Sequence, residues 1–342
     1  MSELEEALSG VEARQREQQT DKRLKSTAHK GSQQENTMPD RFDFLEIGDE
    51  RPPAPTPPST DEGAEPAQSW KPLKLRAMEV IGDPGVGAGQ FSLPTGIAVD
   101  QWGSLYVADS NNHRVQRITT GGDVYCIGRP GTAVGEMWNP HAVAVSPNGE
   151  FFFVAESGTN RIQCFRFTGQ SKGVVAGFKN PMGLAFDPEG RLWIADTGNG
   201  RLLRMNVQNG QYVGGFDGKA GFQRPIAIAI DRFRQIYVTC SASQSVIRFN
   251  AQGQKLSSLA DRRKLSFPTS CAIDALGRVY VVESEANRLH VFDNEGNSLV
   301  SFDRLSSKMG ELKAPTSVAL GPNGEIYVSD TQNHRIVRLG WE

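Results

Sequence analysis

Short apolar runs recur along this chain at a nearly constant spacing, and each group of runs begins at a proline. From Pro94 the pattern reads PTGIAVDQWGSLYVADSNNHRVQRI, and related segments follow at five later prolines. Successive prolines are 46, 41, 44, 43 and 47 residues apart. The six prolines are Pro94, Pro140, Pro181, Pro225, Pro268 and Pro315. This period, made of short strands, is typical of propeller blades, because one such unit cannot bury its own faces.

The local chemistry of each repeat predicts four antiparallel strands. The first run, 95–99 in the first repeat, is short, apolar and β-branched, as expected of a strand covered on both faces. A turn with a late glycine follows, as in Asp187-Pro-Glu-Gly190, and reverses the chain. Second and third runs flank a polar loop, and a second glycine turn leads to a fourth run such as 212–216. Six repeats therefore predict an all-β, six-bladed propeller of four-stranded antiparallel blades.

The last repeat stops at Glu342 without a fourth strand, and the missing strand is present at the other end of the ring. The run 76–81 precedes the first repeat and is followed by a glycine-rich loop. We expect this N-terminal strand to pair with 335–339 in the last blade, because closure removes exposed sheet edges. The propeller is predicted to span 74–342.

Residues 1–73 differ in composition from the propeller and are predicted to form a disordered acidic arm with a proline-rich linker. The arm has 9 Lys and Arg against 15 Asp and Glu, a net charge of −6, and the propeller is +4. Two independently solvated surfaces are the simpler interpretation of this difference. The alternative is that the arm partly covers the ring. An apolar island at Phe42, Phe44, Leu45 and Ile47 could be a docking motif or a chance cluster.

No apolar run reaches the length of a membrane span, and the N-terminus lacks the pattern of a signal peptide. Four separated cysteines form no zinc motif and are predicted to be free thiols. We therefore expect a cytoplasmic protein with no membrane contact and no cofactor, and we favour a monomer, although the sequence leaves its oligomeric state open.

The loop between second and third strands carries an acid and, five residues later, an arginine in five of six repeats. The fourth repeat has Cys240 and Ser245 instead, so both members are missing together. A half-buried charge without its partner is costly, which predicts structural ion pairs rather than general acids. The predicted pairs are Asp109/Arg114, Glu156/Arg161, Asp196/Arg201, Glu283/Arg288 and Asp330/Arg335.

These features together resemble the NHL repeat, whose pattern reads P-x-G-I-A-V-D, then I-Y-V-A-D, then N-H-R-I. The triplets Asn112-His113-Arg114 and Asn333-His334-Arg335 match it most closely. The resemblance implies a six-bladed β-propeller. It leaves function open, since this propeller has many unrelated roles, RNA binding among them.

Six equivalent positions, each directly after a repeat proline, are expected to surround one mouth of the central channel: Thr95, His141, Met182, Ile226, Thr269 and Thr316. A related propeller, the peptidyl-hydroxyglycine amidating lyase, binds zinc with three histidines, and Pro140-His141 is similar to its motif. Zinc needs three or four ligands, and only one blade here has this histidine. Calcium-dependent lactonases use channel carboxylates, which these six positions lack. A divergent metal-dependent lyase or hydrolase centred on His141 therefore stays a second alternative, and we predict no metal site and no catalytic residue.

The loops that enter each blade are long, varied and mildly basic, and we expect them to form the contact surface of a non-enzymatic protein-binding scaffold. RNA binding is the first alternative, because a basic face with interleaved aromatics can contact phosphates and stack bases. The predicted contact residues are Trp138, Lys179, Phe222, Arg224, Arg262, Arg263, Lys264, Lys308 and Lys313.

Overall fold

Each repeat folds into one four-stranded antiparallel sheet, and six such sheets make the propeller. The computed structural model describes residues 74–259, 265–306 and 309–342. Blades 1 to 3 consist of Pro94–Val99, Leu105–Asp109, Arg114–Ile118, Val124–Ile127; Pro140–Val145, Phe151–Glu156, Arg161–Arg166, Ser171–Val175; and Pro181–Phe186, Arg191–Asp196, Arg201–Asn206, Tyr212–Asp217. Blades 4 to 6 consist of Ala227–Ile230, Ile236–Cys240, Ser245–Phe249, Lys255–Ser258; Pro268–Ile273, Val279–Glu283, Arg288–Phe292, Ser298–Phe302; and Val318–Leu320, Ile326–Asp330, Arg335–Trp341, Leu75–Ile81.

The loops between these strands contain short secondary-structure elements. The described 3-10 helices are Ser110–Asn112, Thr197–Asn199, Gly218–Ala220 and Thr331–Asn333. Asp83–Pro84 pairs with Gln90–Phe91 in parallel, and Arg304–Ser306 pairs with Gly310–Glu311 antiparallel. These two small pairings lie in the loops that enter blades 1 and 6, so each of these loops has backbone hydrogen bonds within itself.

The ring is closed by its N-terminal strand, as predicted. Leu75–Ile81 pairs antiparallel with Arg335–Trp341, from Leu75 opposite Trp341 to Ile81 opposite Ile336. Leu75 is buried in one apolar cluster with residues of blades 5 and 6, among them Tyr280 and Leu339. Closure therefore contributes core contacts as well as covering a sheet edge.

The core lies between the faces of neighbouring blades, and the second strand of each blade is its most buried element. Every residue of Leu105–Asp109, Phe151–Glu156 and Val279–Glu283 is buried. Aromatic rings fill the spaces between sheets, as where Phe216 contacts Phe249 with ring centroids 5.2 Å apart. The all-β class, the six four-stranded blades and the closure predicted from the sequence are confirmed.

The acidic arm and its proline-rich linker, predicted over residues 1–73, lie outside the described residues. Among the residues that the structure describes, no helix is long and apolar enough to cross a membrane.

Candidate functional site: the loop face and the channel mouth

The acid and arginine of the five predicted pairs are in direct contact. Each guanidinium Nε lies 2.7–2.9 Å from a carboxylate oxygen, and all five acid side chains are fully buried. The arginine side chains are 9–29% exposed. These carboxylates therefore have neighbouring cations and no open path to a substrate, which is the arrangement of structural ion pairs.

Each of these acids also holds the loop that enters its own blade. The carboxylate accepts a backbone N–H from the residue two places before the repeat proline, over 2.6–2.9 Å. The donors are Ser92, Trp138, Lys179, Ser266 and Lys313. In blades 1, 2 and 6 the arginine extends the same support to loop carbonyls; Arg335, for example, donates to the carbonyl of Met309 over 2.9 Å.

Glu283 shows the electrostatic consequence of this arrangement. Burial of the carboxyl acts to raise its pKa, but hydrogen bonds from His290, Arg288 and the Ser266 N–H together lower the pKa to about 2. The carboxylate is thus ionised and acts only as an acceptor at neutral pH.

Blade 4 lacks the ion pair but keeps the contact to its entering loop. Its acid position is Cys240, which is fully buried, and burial raises the pKa of the thiol to about 11. The Gln223 N–H, two places before Pro225, donates to the sulfur, and the entering loop also packs through Phe222, which is 1% exposed and lies edge-on against Phe249. Phe222 was expected on the contact surface; because its ring fills the core between blades 3 and 4, it is not available to a partner.

A second set of contacts ties neighbouring blades together at four of the six junctions, and sequence reasoning did not identify it. The Nδ1 of His113 accepts the N–H of Asn139 over 3.0 Å, and Asn160 Oδ1 accepts the N–H of Asn180 over 2.7 Å. Asn287 with Ala314 and His334 with Leu93 repeat the contact in blades 5 and 6. The available signal was positional: each acceptor directly precedes the arginine, and each donor directly precedes the proline.

Three of the expected contact residues fall on equivalent positions of the described interblade loops. Trp138, Lys179 and Lys313 each lie two places before a repeat proline and are exposed, while their backbones are held by the buried acids. Arg224 is exposed directly before Pro225. The remaining expected contacts lie outside the described residues: Arg262, Arg263, Lys264 and Lys308. We call this surface, formed by the interblade loops and the loops between second and third strands, the loop face.

Trp138 is the most prominent aromatic side chain of the loop face. Its ring stacks on His113 with centroids 4.3 Å apart and planes 8° apart. On another side it lies against Gly158, where an added Cβ would come within 2.7 Å of the indole. The side chain is nevertheless 46% exposed. Trp138 therefore presents a fixed apolar surface to solvent.

The six expected channel-mouth residues line one cavity of about 90 Å³ on the axis of the ring. Thr95 and Thr316 are bound to the loops of their own blades: their hydroxyls lie 2.6 Å from Ser110 Oγ and 2.7 Å from Thr331 Oγ1. Because Ser110 and Thr331 begin loops of the loop face, the channel mouth opens on that same face.

His141 is the one channel-mouth residue with titratable chemistry. Burial lowers its pKa, which favours the neutral ring, and its Nδ1 lies 3.0 Å from the carbonyl oxygen of Met182. With Nδ1–H donating to that carbonyl, Nε2 keeps the free lone pair. Within the described ranges, no group of three or more His, Cys, Asp or Glu residues is arranged to hold a metal ion.

Comparison with known families and proteins agrees with this architecture. The model of the NHL repeat matches residues 91–118, 137–165, 178–205 and 312–339. These segments correspond to blades 1, 2, 3 and 6.

Two curated relatives match parts of the chain at about 30% identity. Protein brain tumor of Drosophila melanogaster is 31% identical over 139 residues, covering 39% of this chain and 13% of that protein. Peptidyl-glycine alpha-amidating monooxygenase A of Xenopus laevis is 31% identical over 145 residues, 37% of this chain and 16% of that protein. The chain thus spans about one seventh of the length of each of these relatives.

Solved structures share the fold at low identity. A catalytically inactive virginiamycin B lyase from Staphylococcus aureus, solved with quinupristin, has a TM-score of 0.57 and 14% identity over 78% of this chain and 99% of that chain. A structure of a nidogen/laminin complex has a TM-score of 0.54 and 18% identity over 67% of this chain and 84% of that chain. The solved structures show the fold alone; the four matched segments show that the chain carries NHL repeats, and its six sheets arrange them as a six-bladed β-propeller.

Proposed function

We propose that this protein is a non-enzymatic binding scaffold and that its loop face binds a protein partner. One observation carries the proposal: Trp138, Lys179 and Lys313 occupy the same position in three blades, with exposed side chains on backbones fixed by buried carboxylates. A surface held in one conformation loses little conformational entropy when a partner binds. This combination of exposure and rigidity suits recognition better than chemistry.

Within this proposal Trp138 is the apolar anchor and the lysines form the charged rim. Tryptophan is enriched among the residues that dominate binding energy, and stacking on His113 already fixes the orientation of its ring. Lys179 and Lys313 have exposed side chains, and rim charges act chiefly on encounter rate and salt dependence. Loss of Trp138 should therefore affect complex lifetime more than loss of either lysine.

RNA binding is the second candidate, favoured by the same aromatic and basic side chains. The exposed part of the Trp138 ring could contact a base while Lys179 and Lys313 contact phosphates. Phosphate contacts release counterions, so such binding weakens steeply with salt. A lyase or hydrolase activity would rest on His141 alone, and metal analysis of the purified protein tests it.

The test compares two surfaces of one folded protein. Full-length chain carrying Trp138→Ala, Lys179→Glu and Lys313→Glu is immobilised beside wild type and beside a control altered on first-to-second strand turns, Trp102→Ala with Arg232→Glu. Trp102 is 59% exposed and lies outside the loop face. Quantitative proteomics of retained proteins should show a set lost from the loop-face variant and kept by the control. Equal retention by all three proteins would contradict the proposal.

Titration of a fluorescent twelve-nucleotide uridine RNA at several salt concentrations separates the second candidate. If wild type binds this RNA tightly, if the affinity falls steeply with salt and if the loop-face variant does not bind, RNA is the ligand of the loop face rather than a protein.

A further inference from the structure

The junction between blades 3 and 4 lacks the contact that ties blades together at four other junctions; among the described contacts, the junction between blades 4 and 5, where Gln244 takes the acceptor position, lacks it as well. At four junctions, the N–H of the residue before the proline donates to a His or Asn side chain of the preceding blade, over 2.7–3.0 Å. At the blade 3–4 junction the equivalent acceptor position is Gly200. Its backbone has the same left-handed conformation, φ 63° and ψ 36°, as His113 with φ 53° and ψ 42°. Only the accepting side chain is absent.

The absent side chain leaves open space and an unused donor. A Cβ built on Gly200 would meet no atom within 4 Å. The donor at this junction is the N–H of Arg224, whose φ of 48° equals that of Leu93 at the tied junction between blades 6 and 1. Among the contacts of the described residues, the Arg224 N–H has no protein acceptor, whereas the Leu93 N–H has one. Arg224 is exposed, so solvent or a partner can supply the acceptor.

Cations surround this position. Gly218 lies beside Gly200, since an added Cβ there would be 3.7 Å from the Gly200 carbonyl oxygen, and this places Lys219 at the junction. Arg201 directly follows Gly200, and its side chain is 29% exposed, against 9–18% for the other four paired arginines. Lys179 lies against Gly198, and both its side chain and that of Arg224 are exposed.

The acids at this junction only partly neutralise those cations. Asp196 is buried and accepts from Arg201, and the exposed Asp217 accepts the N–H of Lys219. With Lys179 of the adjacent loop included, four cations against two acids give this part of the loop face a net charge of +2. We call the space at Gly200, next to Arg201, Lys219 and Arg224, the Gly200 notch; Lys179 lies on the adjacent loop, against Gly198.

We infer that the Gly200 notch binds a carboxylate of an acidic peptide segment in the protein partner. One carboxylate oxygen takes the place of the absent imidazole nitrogen or amide oxygen and accepts the Arg224 N–H, while the surrounding cations neutralise its charge. This inference rests on the proposed function and assigns one subsite of the loop face. A nucleic-acid strand fits less well, because the described residues of this junction present no exposed aromatic ring for base stacking; Phe222 is buried.

The decisive variant is Gly200→Asn in the full-length chain. Asparagine tolerates the left-handed conformation and occupies the equivalent position at Asn160 and Asn287, so its amide should cap the Arg224 N–H. Net charge does not change. The probe is a fluorescein-labelled hexaglutamate peptide, followed by fluorescence anisotropy at two salt concentrations. We expect Gly200→Asn to weaken binding at least tenfold, and Arg224→Gln and Lys219→Gln to weaken it several-fold each.

A matched control comes from the turn between the first and second strands of blade 3. Gly190 also has positive φ, 75°, and open space around an added Cβ. Gly190→Asn should leave hexaglutamate binding unchanged. In an NMR titration of wild type, the Arg224 amide resonance should shift on peptide addition.

Three outcomes would overturn the inference. Wild type that does not bind hexaglutamate would remove the site. Loss in the charge variants but not in Gly200→Asn would show diffuse attraction without use of the notch, and the proposed loop-face function would stand. Tighter binding of the uridine RNA, also lost in Gly200→Asn, would assign the notch to phosphate and exclude an acidic peptide.

Discussion

The Nδ1 of His334 in blade 6 accepts a 3.0 Å hydrogen bond from the backbone N–H of Leu93, where blade 1 begins. This contact joins the last blade to the loop that follows the closing N-terminal strand. It also explains why the residue before the arginine is useful as His or Asn: a left-handed backbone presents its acceptor toward the next blade. The histidine and the arginine of the repeat triplet therefore have different tasks, the first between blades and the second within one.

Replacement of His334 by alanine should destabilise the ring by about 1 kcal/mol, because the Leu93 N–H loses its acceptor. Replacement by asparagine should restore most of that stability, since Asn287 makes the same contact with Ala314. Denaturant unfolding of both variants measures the difference. Equal unfolding midpoints for His334→Ala and His334→Asn would show that the hydrogen bond contributes nothing.

Truncation should distinguish the closing strand from the residues before it. Deletion of residues 1–81 removes Leu75–Ile81, exposes the edge at Arg335–Trp341 and uncovers the cluster around Leu339. We expect insoluble or strongly destabilised protein. Deletion of residues 1–70 should leave thermal unfolding unchanged. If both truncated chains melt alike, the strand does not support the ring.

The blades and the ion pairs could be predicted because each depends on residues that are close together in the sequence. Apolar runs that alternate with glycine turns define strands, and an acid and arginine five residues apart meet across one loop, as Asp330 and Arg335 do. Their joint absence in blade 4 was enough to indicate mutual dependence.

Features that depend on two blades at once could not be predicted in this way. Phe222 has the same chemistry in a buried and in an exposed loop, and only the packing of Phe216 and Phe249 around it decides its burial. The tie from His113 to Asn139 likewise requires the register between neighbouring blades. Likewise, the absence of an accepting side chain at Gly200 can be recognised only once the contact is known at other junctions.

Acid should weaken the fold through Glu283. Its pKa is about 2 in the folded protein against 4.5 ordinarily, so the carboxylate contributes stability that is fully present above pH about 4.5 and is lost as pH falls toward 2. Glu283→Gln should be less stable at pH 7 and should depend less on pH within that window. The exposed Glu285→Gln is the charge-matched control. Parallel stability profiles for Glu283→Gln and wild type between pH 4.5 and 2 would contradict the assignment.

The interpretation of the acids and arginines as ion pairs can be tested by introducing such a pair into blade 4. Cys240 and Ser245 stand opposite each other in the ladder, as Asp196 and Arg201 do in blade 3. Cys240→Asp alone places a carboxylate at a fully buried position without a cation, and we expect a loss of about 3 kcal/mol or more. Adding Ser245→Arg should recover part of that loss, because the new guanidinium lies across from the new acid.

The double-mutant cycle measures this recovery as a coupling energy in denaturant unfolding, expected at about 1–3 kcal/mol. Ser245→Arg alone serves as the fourth corner, and it should also destabilise, since Ser245 is buried beside Ser243. A coupling energy of zero would mean that position, rather than pairing, determines what these acids and arginines contribute. A positive coupling would show that blade 4 can accept the pair that its sequence lacks, so that Cys240 and Ser245 are not required for the blade to form.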